Sequence, residues 1–411
     1  MKRIISLLLA ALLALSFLSC AAPKEGSDPA PTGAGASETE ASNETFIVRD
    51  RQCTFADMIT SPLIDTGDTL YITFGGSTKK IYFSDKSDKE WIPLCFKPDC
   101  FHRGPDCNAQ LEGSNSYKIW PYGEHIYYVV QNPNASPALW RMKLDGSDHE
   151  KLLVFKYSED AERYDEYTWD FVFHNKYVYA WFRGSTPELR EAKKDSDTLI
   201  FLVDLSLERP VPEITSLHWE TGLPVCGQGD TVYCFNTPNN NSITKVDLKK
   251  QSEEKLCELP FYPYSGLVLK DGRLYAADSF ETHQFIAVDI GTGETAPVCS
   301  LKRNLRFIMS DDYLIGSGNV MASMNDSDGI PGEEGTIILD YEGNLIRHIP
   351  YETYKSNIVV YLSSGNLVFG YDGNDSKLDN NSILLQWYLD LNELGSEDMT
   401  WHKWAPEDQQ G

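Results

Sequence analysis

Basic residues are scarce in this 411-residue chain, which carries 36 Lys and Arg against 61 Asp and Glu, for a net charge of −25 at pH 7. Because contacts with phosphate groups need a basic surface, this scarcity argues against nucleic acid as a partner. Anionic lipid headgroups would repel such a chain, which argues against purely electrostatic attachment to a membrane. The acidity favours solubility and cationic partners.

Common catalytic signatures are missing from the whole sequence. It contains neither G-x-S-x-G nor H-E-x-x-H, which argues against α/β-hydrolase and zincin chemistry. The stretch SDKSDKEW places Lys86 and Asp88 where the Asp box of sialidases has Asp and Gly. Carboxylates scattered along the chain are still compatible with a glycosidase. An enzyme acting on carbohydrate, a glycoside hydrolase or lyase of propeller fold, is therefore kept as the alternative function.

Long apolar runs are restricted to the N-terminus. Residues 4–15 form an apolar run after Lys2 and Arg3, and the run is too short for a transmembrane helix, so it predicts an export signal. The signal ends in FLSC, with Cys20 last. This junction resembles the lipobox of bacterial lipoproteins, with phenylalanine in place of the usual leucine. The resemblance implies cleavage after residue 19, lipidation of Cys20, and anchoring in the cell envelope at the outer face of the cytoplasmic membrane.

Residues 21–44 contain no Leu, Ile, Val or aromatic residue. A segment with so little apolar surface cannot offset the entropy of ordering, which predicts a disordered tether. We therefore expect a signal peptide at 1–19, a tether at 20–44, a folded domain at 45–404 and a short tail at 405–411.

Alternation with a period of two runs through the folded domain and predicts strands. Five strands open with an aliphatic residue and a tyrosine, as in LYITF and VYAWF. Seven strands in all are each followed by another strand that ends at an aspartate; these aspartates are Asp85, Asp145, Asp204, Asp247, Asp289, Asp340 and Asp390. The aspartates lie 42 to 60 residues apart. Four strands repeated at this period predict an all-β fold, a seven-bladed β-propeller.

The blades are expected at about 56–95, 117–155, 167–214, 223–260, 266–301, 305–350 and 357–404. We expect the seven aspartates to accept hydrogen bonds from turn backbone. The paired tyrosines should pack between blades. Residues 45–53 are expected to pair with the last blade and latch the ring, because an open ring leaves strand edges unpaired.

The blade sequence LWRMKLDGSDHEKLL, residues 139–153, resembles the blades of TolB-like propellers. The stretch IYFSD, residues 81–85, is similar to the signature of propellers with a Tyr-Trp-Thr-Asp repeat. With these blade sequences and the N-terminal junction, the chain resembles the bacterial surface lipoproteins of β-propeller type. The resemblance implies the fold and leaves the ligand open.

The two ends of the predicted ring differ. Tight turns between first and second strands, such as PYGE and FHNK, gather at one end, which we call the turn end. Blade-to-blade connections and the long loops gather at the other, the connection end. Because long loops on a rigid scaffold carry function, we expect the ligand at the connection end.

The predicted ligand is a glycan, peptide or protein, bound by aromatic and acidic side chains of these loops; the candidates are Tyr164, Asp165, Trp169, Trp219, Glu220, Asp326 and Asp328. The alternative is a solvated acidic loop with its aromatic rings packed inward. Calcium is not expected at NDSDGIPGEEG, residues 325–335, because the first and last ligands of an EF-hand loop are absent.

The stretch CFKPDCFHRGPDC, residues 95–107, contains three cysteines and a histidine. Cys95, Cys100, His102 and Cys107 provide three thiolates and an imidazole, the ligand set of a closed structural zinc site. A similar cluster is found in Gram-positive lipoproteins of this shape. A Cys100–Cys107 or Cys95–Cys107 disulfide, or free thiols, remain open for an exported protein. Cys257 and Cys299 occupy the place of Cys95 in later blades, so Cys95 also fits a small buried apolar residue.

Overall fold

The computed structural model describes residues 63–74, 80–102, 104, 106–111, 118–131, 136–156, 166–185, 197–217, 222–236, 241–263, 266–278, 281–301, 305–319, 335–372 and 385–404. The signal peptide, Cys20, the tether, the latch at 45–53 and the tail at 405–411 lie outside these ranges. Among the described residues, no helix combines the length and apolar character that crossing a membrane requires.

Seven antiparallel sheets of four strands form a seven-bladed β-propeller within the unit Thr45–Gly411. The first three blades contain β1 (Ile64–Asp65), β2 (Thr69–Phe74), β3 (Lys80–Asp85), β4 (Ile92–Pro93); β5 (Ile119–Tyr122), β6 (His125–Val130), β7 (Ala138–Lys143), β8 (Glu150–Val154); and β9 (Glu166–His174), β10 (Tyr177–Ser185), β11 (Asp197–Asp204), β12 (Glu213–Leu217). Each sheet is one contiguous segment of chain in which consecutive strands pair.

The remaining four blades contain β13 (Leu223–Gln228), β14 (Thr231–Asn236), β15 (Ser242–Asp247), β16 (Ser252–Glu258); β17 (Gly266–Lys270), β18 (Arg273–Asp278), β19 (Gln284–Asp289), β20 (Thr295–Ser300); β21 (Leu305–Met309), β22 (Tyr313–Asn319), β23 (Thr336–Asp340), β24 (Leu345–Ile349); and β25 (Ile358–Ser364), β26 (Leu367–Asp372), β27 (Trp387–Asp390), β28 (His402–Lys403). A helical turn, α1 (Tyr351–Tyr354), connects blades six and seven, and a 3-10 turn (Leu391–Glu393) follows β27. The predicted fold class is confirmed.

The core is divided into seven main clusters of buried apolar side chains, one at each interface between neighbouring blades. A four-stranded sheet buries neither face by itself, so each blade covers one face of the next. The cluster between blades two and three, for example, joins Trp120 and Phe155 to Phe173 and Phe201. The cluster between blades seven and one closes the series.

The repeated tyrosines pack between blades, as predicted. Each is buried in the cluster shared with the following blade; they are Tyr71, Tyr127, Tyr179, Tyr233 and Tyr275. The Tyr179 hydroxyl donates a hydrogen bond to the Gly229 carbonyl of the next blade at 2.8 Å. The ring supplies apolar area while its hydroxyl satisfies a backbone acceptor, which suits tyrosine to this position.

The seven aspartates end their strands as turn acceptors, which confirms their predicted structural role. In each case Oδ1 accepts the backbone N–H of a residue two to four positions on. At Asp145 these bonds, from the Ser147 hydroxyl and N–H, lower the pKa of the carboxyl. The aspartates therefore fix the turn between third and fourth strands.

Aromatic side chains join blade seven to blade one. The Trp404 indole N–H donates to the Ser84 hydroxyl at 3.1 Å, and its ring lies 5.9 Å from that of Trp91. The Lys89 ammonium donates to the Tyr388 hydroxyl. We call this junction the seam. Within the described part of the chain, these side-chain contacts close the ring without a strand exchanged between the two blades.

Candidate metal centre

The segment 95–107, which we call the metal loop, leaves blade one after β4 and is tied at both ends to one strand residue. The Leu94 N–H donates to the Ile81 carbonyl at 2.9 Å, and the Ile81 N–H donates to the Ala109 carbonyl at 2.8 Å. A single β-bridge then pairs Gln110 with Lys80. The loop therefore begins and ends beside the outer edge of β3.

Four ligand atoms converge inside this loop. The sulfurs of Cys95, Cys100 and Cys107 and an imidazole nitrogen of His102 all lie within 4.8 Å of one another. Cys95 and Cys107 are buried, while Cys100 and His102 are half-buried. Cys107 Sγ lies 3.7 Å from His102 Nδ1. The three cysteines are free thiols in the structure, with no sulfur–sulfur bond.

Backbone N–H groups are aimed at the sulfurs. Burial alone would raise the pKa of the Cys95 thiol, but the N–H groups of Lys97 and Asn108 and the neighbouring thiols donate to its sulfur and lower its pKa to about 6. Burial raises the pKa of Cys107 to about 11, although the Ala109 N–H donates to it. One thiolate is thus stabilised inside the cluster, and two of the sulfurs accept the N–H of the residue two positions on.

His102 has a left-handed backbone, with φ of 52°. This conformation is uncommon for residues other than glycine, and it persists where the surroundings enforce it. Here the Lys80 ammonium donates to the His102 carbonyl at 2.7 Å. The strain turns the chain so that the imidazole meets Cys107.

The metal loop also contacts blade two through His149. His149 Nε2 lies 2.9 Å from the Asn108 carbonyl and 3.1 Å from the Gly146 carbonyl. Because both partners are acceptors, Nε2 carries the proton. Nδ1 then accepts from the Tyr128 hydroxyl at 2.7 Å. The loop therefore joins blade one to blade two.

Two phenylalanines of the metal loop face solvent. Phe101, between Cys100 and His102, is 87% exposed, and Phe96 is 63% exposed. The Phe96 ring lies 5.4 Å from that of Phe83.

The donor types are those of a tetrahedral zinc site. Zinc–sulfur bonds of about 2.3 Å and zinc–nitrogen bonds of about 2.0–2.1 Å imply ligand–ligand distances of about 3.5–3.8 Å at a tetrahedral centre. The distance of 3.7 Å between Cys107 Sγ and His102 Nδ1 lies in this range. The four predicted ligands are therefore brought together in a group that could hold a metal such as zinc.

The predicted ligand-binding residues are mostly outside the described ranges; these are Tyr164, Asp165, Trp219, Glu220, Asp326 and Asp328. Trp169 is described, and it is only 7% exposed. Its ring packs against Phe182 at 4.9 Å and Phe201 at 5.3 Å. This part of the prediction needs correction, because Trp169 is a core residue between blades two and three and offers no ring face to a ligand.

Three charged residues of the first strands were not predicted as site residues from the sequence. In each blade, one residue of the first strand pairs with the first residue of the second strand. The three charged residues Lys118, Asp170 and Arg306 each lie four positions before that residue in their own blades. They therefore occupy one register in blades two, three and six. Counting back from the tight turns PYGE, FHNK and MSDD would have found them, since charges are unexpected in otherwise apolar strands.

Comparisons with known proteins find solved structures that are similar to this chain. No protein-family model and no curated protein matches the chain. Similar solved structures include BamB from Moraxella catarrhalis, at 11% identity and a TM-score of 0.39 over 76% of this chain and 82% of that chain. TolB from Acinetobacter baumannii has 13% identity and a TM-score of 0.36 over 68% and 63%. An oligogalacturonate lyase in complex with manganese has 12% identity and a TM-score of 0.44 over 81% and 85%.

Proposed function

We propose that this chain is a lipid-anchored, extracytoplasmic binding or scaffold module, whose metal loop is held by one structural zinc ion. The observation that carries the proposal is the convergence of Cys95, Cys100, His102 and Cys107 beneath an exposed aromatic residue. Four protein ligands leave no open position for substrate, so such a metal supplies rigidity and no catalytic step. A rigid loop at the connection end presents Phe101 at a low entropic cost of binding.

Zinc content tests the metal assignment directly. We expect elemental analysis of protein purified without added metal to find one zinc per chain. Cys100→Ala should lose it, while Cys257→Ala, a half-buried cysteine of blade four, should retain it. A metal-free wild type with a Cys–Cys linkage in peptide mass mapping would establish the disulfide instead.

The anchor is supported by the short apolar run and by the Ser19-Cys20 junction. Cys20→Ala should move the protein from the membrane fraction to the soluble fraction, because two acyl chains provide stable attachment that a polar tether does not. Unchanged membrane retention would contradict lipidation at Cys20.

Ligand engagement is proposed at the connection end, in the region of Phe101. Tyr164, Asp165, Trp219, Glu220, Asp326 and Asp328 remain proposed contacts there. A buried aromatic anchor is often worth about 2 kcal/mol or more in an interface, so Trp219→Ala should weaken binding on that scale. A glycan, peptide or protein remains the class of ligand.

A photo-reactive residue in place of Phe101 tests the binding role. We expect light-dependent adducts with an envelope component from position 101. The matched control is position 207, where Leu207 is 51% exposed in the turn after β11, at the turn end. Equal adduct formation from both positions would remove the support that the metal loop gives to this function.

A further inference from the structure

First strands of neighbouring blades approach one another around the axis and line the central channel, as in propellers generally. Lys118, Asp170 and Arg306 share one register on these strands. Because the tight turns lie at the opposite end of each first strand, this register lies toward the connection end. The three side chains, which we call the channel charges, therefore lie at one depth of the channel, on three different blades.

Two of the channel charges are neighbours. The Lys118 side chain is only 6% exposed, and its ammonium donates to the Phe171 carbonyl of blade three. Asp170 is adjacent in sequence to Phe171; burial raises the pKa of its carboxyl, and the positive charge of Lys118 opposes that rise. Among the described residues, Asp170 accepts no hydrogen bond from a side chain or backbone group.

Arg306 has an aromatic neighbour and no acceptor. Its guanidinium lies 5.4 Å from the ring centroid of Tyr361 in blade seven. Tyr361 in turn meets Tyr371 edge-on, with ring centroids 5.9 Å apart. Within the described ranges, no carboxylate or carbonyl pairs with the guanidinium. As far as the described residues go, the five N–H donors of this guanidinium beside the Tyr361 ring have no acceptor, and their planar fork suits a planar anion.

A buried donor lies beside Asp170. Trp181 is the cross-strand partner of Asp170 and is 1% exposed. Its indole N–H has no hydrogen-bond partner among the residues that the structure describes. Cross-strand partners project to the same face of a sheet. An unsatisfied buried N–H costs free energy, so a native structure that retains one has a reason for it.

Two lysines elsewhere in the ring are paired with carboxylates. Lys176 forms a 2.7 Å ion pair with Asp204, and Lys86 forms a 2.8 Å ion pair with Asp65. The channel charges lack such pairs within the described residues, although desolvation makes unmatched charge more costly in the channel than at the rim. Among the described residues, Arg306 is the channel charge without a charged or carbonyl partner, and unpaired charges in a channel are a feature of ligand sites.

We propose that the connection end of the central channel binds a small ligand through a carboxylate group. Arg306, stacked on Tyr361, receives the carboxylate in the bidentate manner of guanidinium groups. Lys118 and Asp170 bind hydroxyl or amide groups on the remainder of the ligand. This inference rests on the proposed binding function and names the chemistry of one subsite. The carboxylate belongs to a sugar acid or to the C-terminus of a peptide.

Paired probes that differ only in the carboxylate test the proposal by calorimetry on the zinc-loaded protein. D-glucuronate is compared with D-glucose, and triglycine with triglycinamide. We expect at least one carboxylate probe to bind at least about tenfold more tightly than its neutral partner, the scale of one charge-assisted contact. Whichever pair shows the difference identifies the source of the carboxylate.

Variants assign the effect to Arg306. Arg306→Gln should abolish the difference within the pair, and Arg306→Lys should restore only part of it, because lysine lacks the planar fork. Arg273→Gln, at the start of β18 near the turn end, is the matched control and should leave binding unchanged. Zinc content and circular dichroism show that each variant is folded.

The proposal is wrong if neither carboxylate probe binds more tightly than its neutral partner, or if Arg306→Gln leaves the difference intact. A separate outcome distinguishes this proposal from the proposed function. If the wild type shows no preference for a carboxylate but adducts still form from position 101 in Arg306→Gln, the binding module stands and this subsite is wrong.

Discussion

Two groups of cysteines in this propeller have opposite surroundings. Cys226 and Cys234, both in blade four, are fully buried among apolar side chains at its interfaces with neighbouring blades, and burial raises the pKa of both thiols. The metal loop also buries Cys95, yet backbone N–H groups and neighbouring thiols lower the pKa of that thiol. Burial by itself therefore makes a cysteine an inert apolar residue, and donors aimed at the sulfur make it a potential metal ligand.

Cys257 and Cys299 provide an intermediate case. They lie in β16 and β20, the outer strands of blades four and five, and both are half-buried. Burial raises the pKa of Cys257 to about 11, although the Ile243 N–H donates to its sulfur. A single backbone donor does not offset desolvation there, whereas several donors do so at Cys95.

Thiol labelling should show the largest contrast between the groups. After zinc removal by a chelator, iodoacetamide should modify the metal-loop cysteines at least about 100-fold faster than Cys226 or Cys234, because the core thiols react only through global or sub-global opening. Peptide mass spectrometry gives the rates. Comparable rates in the native protein would contradict the core assignment, and labelling unaffected by chelator would contradict zinc protection.

Stability should show the next largest effect. Cys107→Ser removes one proposed zinc ligand and with it the cross-link that zinc would make in the metal loop. We expect the free energy of unfolding to fall by about 2–4 kcal/mol, the range for losing a covalent cross-link across a short loop. Denaturant titration with and without chelator measures it. The chelator should destabilise the wild type and leave Cys107→Ser unchanged; sensitivity in both would place the metal elsewhere.

Cys234→Ala should have a smaller effect of a different origin. Removing a buried sulfur leaves a small cavity between blades three and four, and we expect a loss of about 1–2 kcal/mol. Zinc content should stay at one per chain. A loss of zinc in this variant would show that the two groups of cysteines are coupled.

Cys257→Ser should have the smallest effect, about 0.5 kcal/mol or less, since the side chain is half-buried on an outer strand and the hydroxyl can reach water. The same denaturant titration applies. A loss as large as that of Cys107→Ser would mean that Cys257 has a role beyond packing.

The repeats made most of the fold predictable. Blade number and blade bounds followed from the aspartates and tyrosines, because each has one repeated physical task, capping a turn or filling an interface. Trp169 was predicted as a ligand contact because the residues before it form an acidic and aromatic loop, although it belongs to a strand. Trp169, Phe171 and Phe173 alternate, and all three belong to one buried cluster, so the period of two already indicated an inward face.

The candidate site was predictable only where its residues are close in sequence. All four candidate metal ligands fall within thirteen residues, so their types could be recognised together. The sequence could not decide between Cys95 as a ligand and Cys95 as a packing residue, because that depends on N–H groups placed by the fold. The channel charges come from distant blades, and only the register of the strands brings them to one level.

The seam has a consequence for the order in which the molecule folds. Each other interface joins blades that are consecutive in the chain, but Ser84 and Trp404 meet across 320 residues. Local contacts form early and distant contacts late, so the blades can form one after another along the chain, and the ring closes only when the seventh blade has formed. Until then Leu70 and Ile72 on one side and Phe369 and Trp404 on the other are uncovered apolar surface, the state most exposed to aggregation.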